Sequence, residues 1–168
     1  MLESLLITLR PQIVPGVEVV MEIDDGEDSI GVKRNRLLSN AFGEYVCFID
    51  DDDQVSRDYV RLILDALDGK PDCVGFNLRY YVDGTHKGDA IHSLRYQNYG
   101  QHRDGRLMVY ERTPNHLNPI RRDVALQVGF PDKNHGEDTD FAVTIRPLLK
   151  TEVFIDQTLY HYLYRSTK

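Results

Sequence analysis

The sequence contains no tryptophan, only two cysteines and no long apolar run. Cys47 and Cys73 each sit inside an apolar stretch with no metal-ligand spacing, so both are expected as buried free thiols. That usage suits a reducing compartment, and a cytoplasmic setting is the expectation. No segment approaches the roughly 18 apolar residues that a membrane-spanning helix needs. Residues 1–9 are apolar but lack a basic flank and a cleavage-like site, so they read as a short amphipathic helix rather than a signal peptide. Cations are also in deficit. Twenty Lys and Arg against 27 Asp and Glu leave a formal charge of −7, which argues against non-specific nucleic-acid binding. Repeats, low-complexity tracts and Ser/Pro-rich linkers are missing too, so one domain over residues 1–168 is expected.

What is present alternates. Leu2, Leu5, Leu6 and Leu9 recur at helical spacing up to Arg10-Pro11, and residues 17–23 then alternate in part like a strand. Asp28 or Ser29 can cap a second helix that ends before Gly43. Tyr45-Val46-Cys47-Phe48-Ile49 is an unbroken apolar run, expected as a strand buried on both faces. Ser56 can cap a third helix carrying Val60, Ile63, Leu64 and Leu67, and residues 73–76 follow as another buried strand. Helices alternating with strands predict an α/β fold with a mostly parallel central sheet and helices on both faces. From residue 78 the pattern turns Tyr-rich, with Asp83-Gly84 and Asp104-Gly105 marking antiparallel hairpins or long loops. Helices are expected around residues 122–128 and from Glu137 to near Pro147. A last strand is expected at residues 153–155, ahead of an aromatic tail.

The strongest chemical signal is Asp50-Asp51-Asp52-Asp53 at the end of a buried strand. In open α/β sheets, ligands bind beyond the carboxyl ends of the strands. On an extended chain Asp50 and Asp52 share one side and Asp51 and Asp53 the other, so either pair offers hard oxygen ligands to a divalent cation. Without a cation, carboxylates about 5 Å apart repel by roughly 1–3 kcal/mol per pair. An acidic loop simply solvated at a sheet edge is the plainer alternative. The second signal is His135-Gly136-Glu137-Asp138-Thr139-Asp140 opening a helix. Acidic residues there complement the helix dipole, but one could also serve as a general base facing the same crevice. The third is Gly31-Val32-Lys33-Arg34-Asn35-Arg36, either a solvated face or a source of one cation, Arg34 foremost, turned towards phosphate or the acidic strand end. His161 is either a structural, aromatic-flanked imidazole or a metal ligand. His116 and His135 fall in loops without ligand spacing.

Taken in order, Asp24-Asp25-Gly26, Gly31-Val32-Lys33-Arg34-Asn35, Ala41-Phe42-Gly43-Glu44-Tyr45-Val46, Phe48-Ile49-Asp50-Asp51-Asp52-Asp53 and Gly136-Glu137-Asp138-Thr139-Asp140-Phe141 resemble the family 2 glycosyltransferases of the GT-A fold. The resemblance implies a Rossmann-like nucleotide-diphospho-sugar transferase, with residues 1–77 as its nucleotide-binding half and 78–168 as its acceptor side. It implies a DXD element at residues 50–52, with Asp52 and Asp50 meeting Mn²⁺ or Mg²⁺ and His161 where some relatives place a further metal ligand. Asp24 or Asp25 would lie beside the nucleotide base, and Arg34, Asp50 and Asp51 would complete donor binding. Asp138, with Glu137 beside it, matches the catalytic base. The implied reaction inverts the anomeric centre. Its donor is a nucleotide-diphosphate sugar, UDP-linked by preference, and its acceptor a glycan or other hydroxyl. Tyr80, Tyr81, Tyr96, Tyr99 and Tyr110 could stack on acceptor sugar faces. Family members open with an apolar strand, whereas Met1 here aligns with the helix after it, so either the start lies too late, or another chain completes the sheet, or donor binding is lost; a homo-oligomer is one such assembly. Two rival readings are a degenerate transferase that binds nucleotide or carbohydrate without turnover, and a haloacid-dehalogenase-like phosphohydrolase.

Overall fold

The computed structural model describes residues 2–23 and 25–166. Helix α1 (Leu2–Leu9) forms where the leucines recur, burying Leu5 and Leu9 while Ile7 faces solvent. A 3₁₀ turn at Arg10–Gln12 ends it. Gln12 then pins this corner, accepting from the Val60 amide at 3.0 Å and donating to the Ser56 carbonyl at 2.9 Å.

Residues 17–23 are not the strand expected of them. No described strand pairs with this stretch, and Val19, Val20, Met21 and Ile23 are exposed. Alternation supplies a face, but a ladder needs a neighbouring backbone to bond.

Helix α2 (Ile30–Asn40) starts at Ser29, whose Oγ accepts from the Val32 amide at 3.2 Å. Gly31 is required there: a Cβ would lie 1.8 Å from the Pro131 carbonyl oxygen. Strand β1 (Tyr45–Val46) is shorter than the apolar run that encodes it. Residues 47–49 carry no ladder, and Phe48 is held instead by its amide donating to the His116 carbonyl at 2.8 Å. Strand β2 (Gln54–Val55) leads to α3 (Tyr59–Leu67), which buries Tyr59, Val60, Ile63 and Ala66. Asp58, not Ser56, occupies its N-cap; Ser56 contributes its carbonyl to the Tyr59 amide.

The second half is built on hairpins, as the turn residues predict. β3 (Cys73–Val82) and β4 (Thr85–His92) join at Asp83-Gly84, both at positive φ. β5 (Gly100–Asp104) and β6 (Leu107–Arg112) join through Gly105. β7 (Ile120–Arg121), α4 (Arg122–Val128) and α5 (Glu137–Ile145) follow. β8 (Glu152–Tyr164) absorbs the whole aromatic tail into one 13-residue strand.

The sheet runs β1-β7-β3-β4-β6-β5, with β8 beside β3 and β2 beside β8. Only β3–β8 and β4–β6 pair in parallel, so the sheet is mixed rather than mostly parallel. Two-residue turns return a strand antiparallel, whereas a parallel neighbour needs a long crossover. Helices do cover both faces. Val74, Phe76 and Leu78 of β3 pack with α1 and α3, while Cys73 packs with residues of α4 and α5. Cys73 is buried, Cys47 half-buried, and both are free thiols. A cavity of about 1960 Å³ opens along residues 17–23 and 46–50 and reaches Asp138.

Candidate functional site

The four aspartates do not continue an extended strand. The Asp53 amide donates to the Asp50 carbonyl at 3.1 Å, closing a turn that replaces the expected two-sided alternation. Asp51 is thereby exposed, Asp52 half-buried and Asp53 fully buried. Asp53 accepts from the Tyr160 hydroxyl at 2.8 Å and the Leu163 amide at 2.7 Å. The same hydroxyl accepts from the Asp50 amide at 3.1 Å, so β8 anchors both ends of the turn. Burial pushes the Asp53 carboxyl up to about 7, against the two hydrogen bonds that favour its charged form.

Arg34 is the tie between elements. From the buried face of α2 it donates to Asp50 at 2.9 Å and to Glu137 at 2.6 Å, with its guanidinium near the packed rings of Phe48 and Phe130, 5.9 and 5.6 Å from their centres. Of the two orientations open in the sequence, it takes the one towards the acidic strand end. Burial alone would raise the Asp50 carboxyl, but the adjoining His116 imidazole and Arg34 guanidinium outweigh it and hold that group well below the usual carboxylate range.

The acidic helix start splits into three roles. Gly136, at φ 74°, lets the chain turn into α5. Glu137 is 5% exposed and bound to Arg34. Asp138 is half-buried and lines the cavity, which puts an available carboxylate at its wall. Asp140 points elsewhere and pairs with Lys133 at 2.6 Å.

Two other expected residues are not drawn in. His161 follows Tyr160 on β8, and successive strand residues face opposite ways. Tyr160 and Tyr162 face the aspartates, while His161 lies against the Tyr81 ring at 5.9 Å. The structure does not bring His161 to the acidic turn. Asp25 lies exposed at a bend, and Asp24 lies outside the described residues. Conversely, Tyr160 and His116 lie against the acidic turn without having been singled out for it, while Asp53, offered as one of a ligand pair, is buried under Tyr160. For His116 a signal existed: Asn115 and Asn118, side chains suited to satisfying loop backbone, bracket it.

The carboxylates fit a divalent cation held jointly with a ligand. Among the described residues no three His, Cys, Asp or Glu converge to hold a metal by themselves. Asp50 gives one oxygen to Arg34 and faces His116 with the other, and Asp52 is the second hard oxygen group at this turn. Mg²⁺-type sites commonly use one or two carboxylates and complete their shell with substrate phosphates and water. No helix among the described residues is long and apolar enough to cross a membrane.

Residues 23–149 match the family model described as glycosyl transferase family 2. No curated protein matches the chain. Among solved structures, S. aureus TarS 1-349 in complex with UDP-GlcNAc is similar with a TM-score of 0.73 at 15% identity, covering 99% of this chain and 56% of that one. TarS 1-349 in complex with UDP gives 0.60 at 18% identity, covering 85% and 42%. The chain therefore spans about half the length of these structures, and at such identity the likeness is one of fold. With the family match spanning most of its length and an acidic turn, a buried arginine and an acidic helix start gathered at one cavity, the chain belongs to glycosyl transferase family 2, a family of glycosyltransferases, and has a GT-A-like α/β fold.

Proposed function

We propose that the chain transfers a sugar from a nucleotide-diphosphate donor to an acceptor hydroxyl, with inversion and with the help of a divalent cation. One observation carries the reading: Arg34 binds the end of the acidic strand and the first residue of α5 at once, so Asp50, Asp52 and Asp138 share one cavity. The similar fold solved with UDP-GlcNAc and with UDP supports a UDP-linked donor. Asp52 and the Asp50 oxygen not held by Arg34 would hold Mn²⁺ or Mg²⁺. A cation bound there would supply electrostatic stabilisation to the departing diphosphate.

Asp138 takes the acceptor's proton. The acceptor oxygen forms its bond to the anomeric carbon as the bond to the diphosphate oxygen breaks on the opposite side. Glu137 occupies the Arg34 guanidinium. The 1–77 half would bind nucleotide and the 78–168 half the acceptor, where Tyr80, Tyr99 and Tyr110 line the cavity.

Calorimetric titration of UDP and GDP, with and without Mn²⁺, tests the reading. UDP binding that requires Mn²⁺ and disappears in Asp52→Ala is expected. Metal-independent binding, or unchanged affinity in that variant, would overturn the metal assignment.

A further inference from the structure

Residues 113–119, between β6 and β7, are buried along their whole length. A buried loop must satisfy its own backbone, and here two asparagines do so. Asn115 accepts from the Leu117 amide at 3.1 Å. Asn118 accepts from the Asn115 amide at 3.0 Å and donates to the Val74 carbonyl at 2.9 Å. Its carbonyl oxygen also takes the Nδ1 proton of buried His92 at 3.1 Å. This bracing holds His116, whose own carbonyl accepts from Phe48.

The His116 side chain is 6% exposed, and neither ring nitrogen has a hydrogen-bond partner. Buried polar groups are rarely left so, and the fold supplies no reason. Nε2 stands 3.6 Å from Asp50 Oδ2, just outside bonding distance, while Arg34 holds Oδ1 at 2.9 Å. A carboxylate only accepts, so the nitrogen facing it must carry the proton. Contacts of this kind are often long in ligand-free sites and tighten on binding.

We propose that His116 is a positioning residue for Asp50, its Nε2–H closing on Oδ2 so that His116 and Arg34 together fix the carboxylate plane at the donor site. The proposal rests on the donor-site reading above. Gripped by one oxygen, a carboxylate still swings about its Cβ–Cγ bond; gripped by both, it presents lone pairs in set directions. Residues standing behind metal-site groups typically change affinity by about 10–100-fold when removed.

The test compares His116→Phe, which keeps the ring volume without a donor, with His116→Gln, which restores an N–H donor. UDP titration in Mn²⁺ should weaken roughly 10-fold or more in the first and stay within about 3-fold of wild type in the second. Thermal unfolding checks that both variants fold. Wild-type affinity in His116→Phe, or equal loss in both, would overturn the proposal. A second readout needs no nucleotide. Ring ¹H–¹⁵N spectra of the free wild-type chain should show a protonated Nε2 whose resonance moves in Asp50→Asn, and a bare Nε2 would overturn the assignment. If the donor-site reading itself fails, wild type ignores UDP at every Mn²⁺ concentration while the ring spectra still report the contact to Asp50.

Discussion

Asp50 and Asp53 are three residues apart, and their surroundings push them in opposite directions. Asp53 meets burial with only a hydroxyl and an amide to offset it, so its carboxyl is raised to about 7. Because the folded value lies above the unfolded one, its contribution to stability is full below the ordinary carboxylate range and is lost as pH rises through about 7. Asp53→Asn, which mimics the protonated form, should abolish that decline, worth on the order of 1 kcal/mol per pH unit. Urea denaturation from about pH 5 to 8 would read it, and parallel curves for the two proteins would refute it. Asp50 works the other way: its lowered value stabilises the fold above the ordinary carboxylate range and is lost in acid. At the cavity wall, Asp138→Asn should cut turnover of the nucleotide-sugar donor by at least about 100-fold and leave UDP affinity unchanged. Proportionate loss of binding would mean that Asp138 holds the donor instead.

The acidic turn, α2 and α5 meet at Arg34, whose pair with Glu137 is buried and whose pair with Asp50 is partly open to solvent. The Arg34 side chain is 9% exposed, that of Glu137 7%, and the guanidinium lies near the packed rings of Phe48 and Phe130. Removing the cation would leave the buried Glu137 carboxylate without its partner, so Arg34→Met should cost about 3–5 kcal/mol. Measured by urea unfolding, a loss below about 1 kcal/mol would show that the tie is not what joins α2 and α5 to the acidic turn. The approach of α2 is possible because Gly31 lets the helix lie against the Pro131 carbonyl. The same packing positions Asn35, which donates to the Phe130 carbonyl and accepts its amide, both at 2.8 Å. The Gly-Val-Lys-Arg-Asn motif thus serves two ends: contact with the loop before α5 and delivery of a cation to the site.

Over the whole molecule, the mixed sheet separates two apolar clusters, and the cavity opens at the end where the β1 run leaves its ladder. Ligand binding there should be felt globally, because a ligand that favours the native state stabilises it by mass action. UDP at 100 times its dissociation constant, with Mn²⁺, should add about 2.7 kcal/mol and raise the unfolding midpoint by roughly 5–10 °C. A scan with no shift would place the nucleotide site outside this chain.

Much of this protein is written locally. Periodicity and turn chemistry specify α1, α2, α3 and the two hairpins, because 3.6- and 2-residue repeats and Asp-Gly pairs act within a few residues. The acidic run and the Glu137-Asp138 pair are legible for the same reason, since strand ends and helix starts mark where side chains gather. Pairing partners are not local. Residues 17–23 have a strand's alternation but no described neighbour, and the expected three-residue strand before the aromatic tail extends to thirteen because β3 runs beside it. Side-chain direction is decided in the same way. Only the register of β8 turns Tyr160 towards Asp53 and His161 away, and only the braced loop before β7 carries His116 to Asp50. Sequence alone determined which chemical groups this protein has and which elements carry them. Tertiary structure decided which of those groups meet, because contacts between distant residues depend on packing and register that no local pattern encodes.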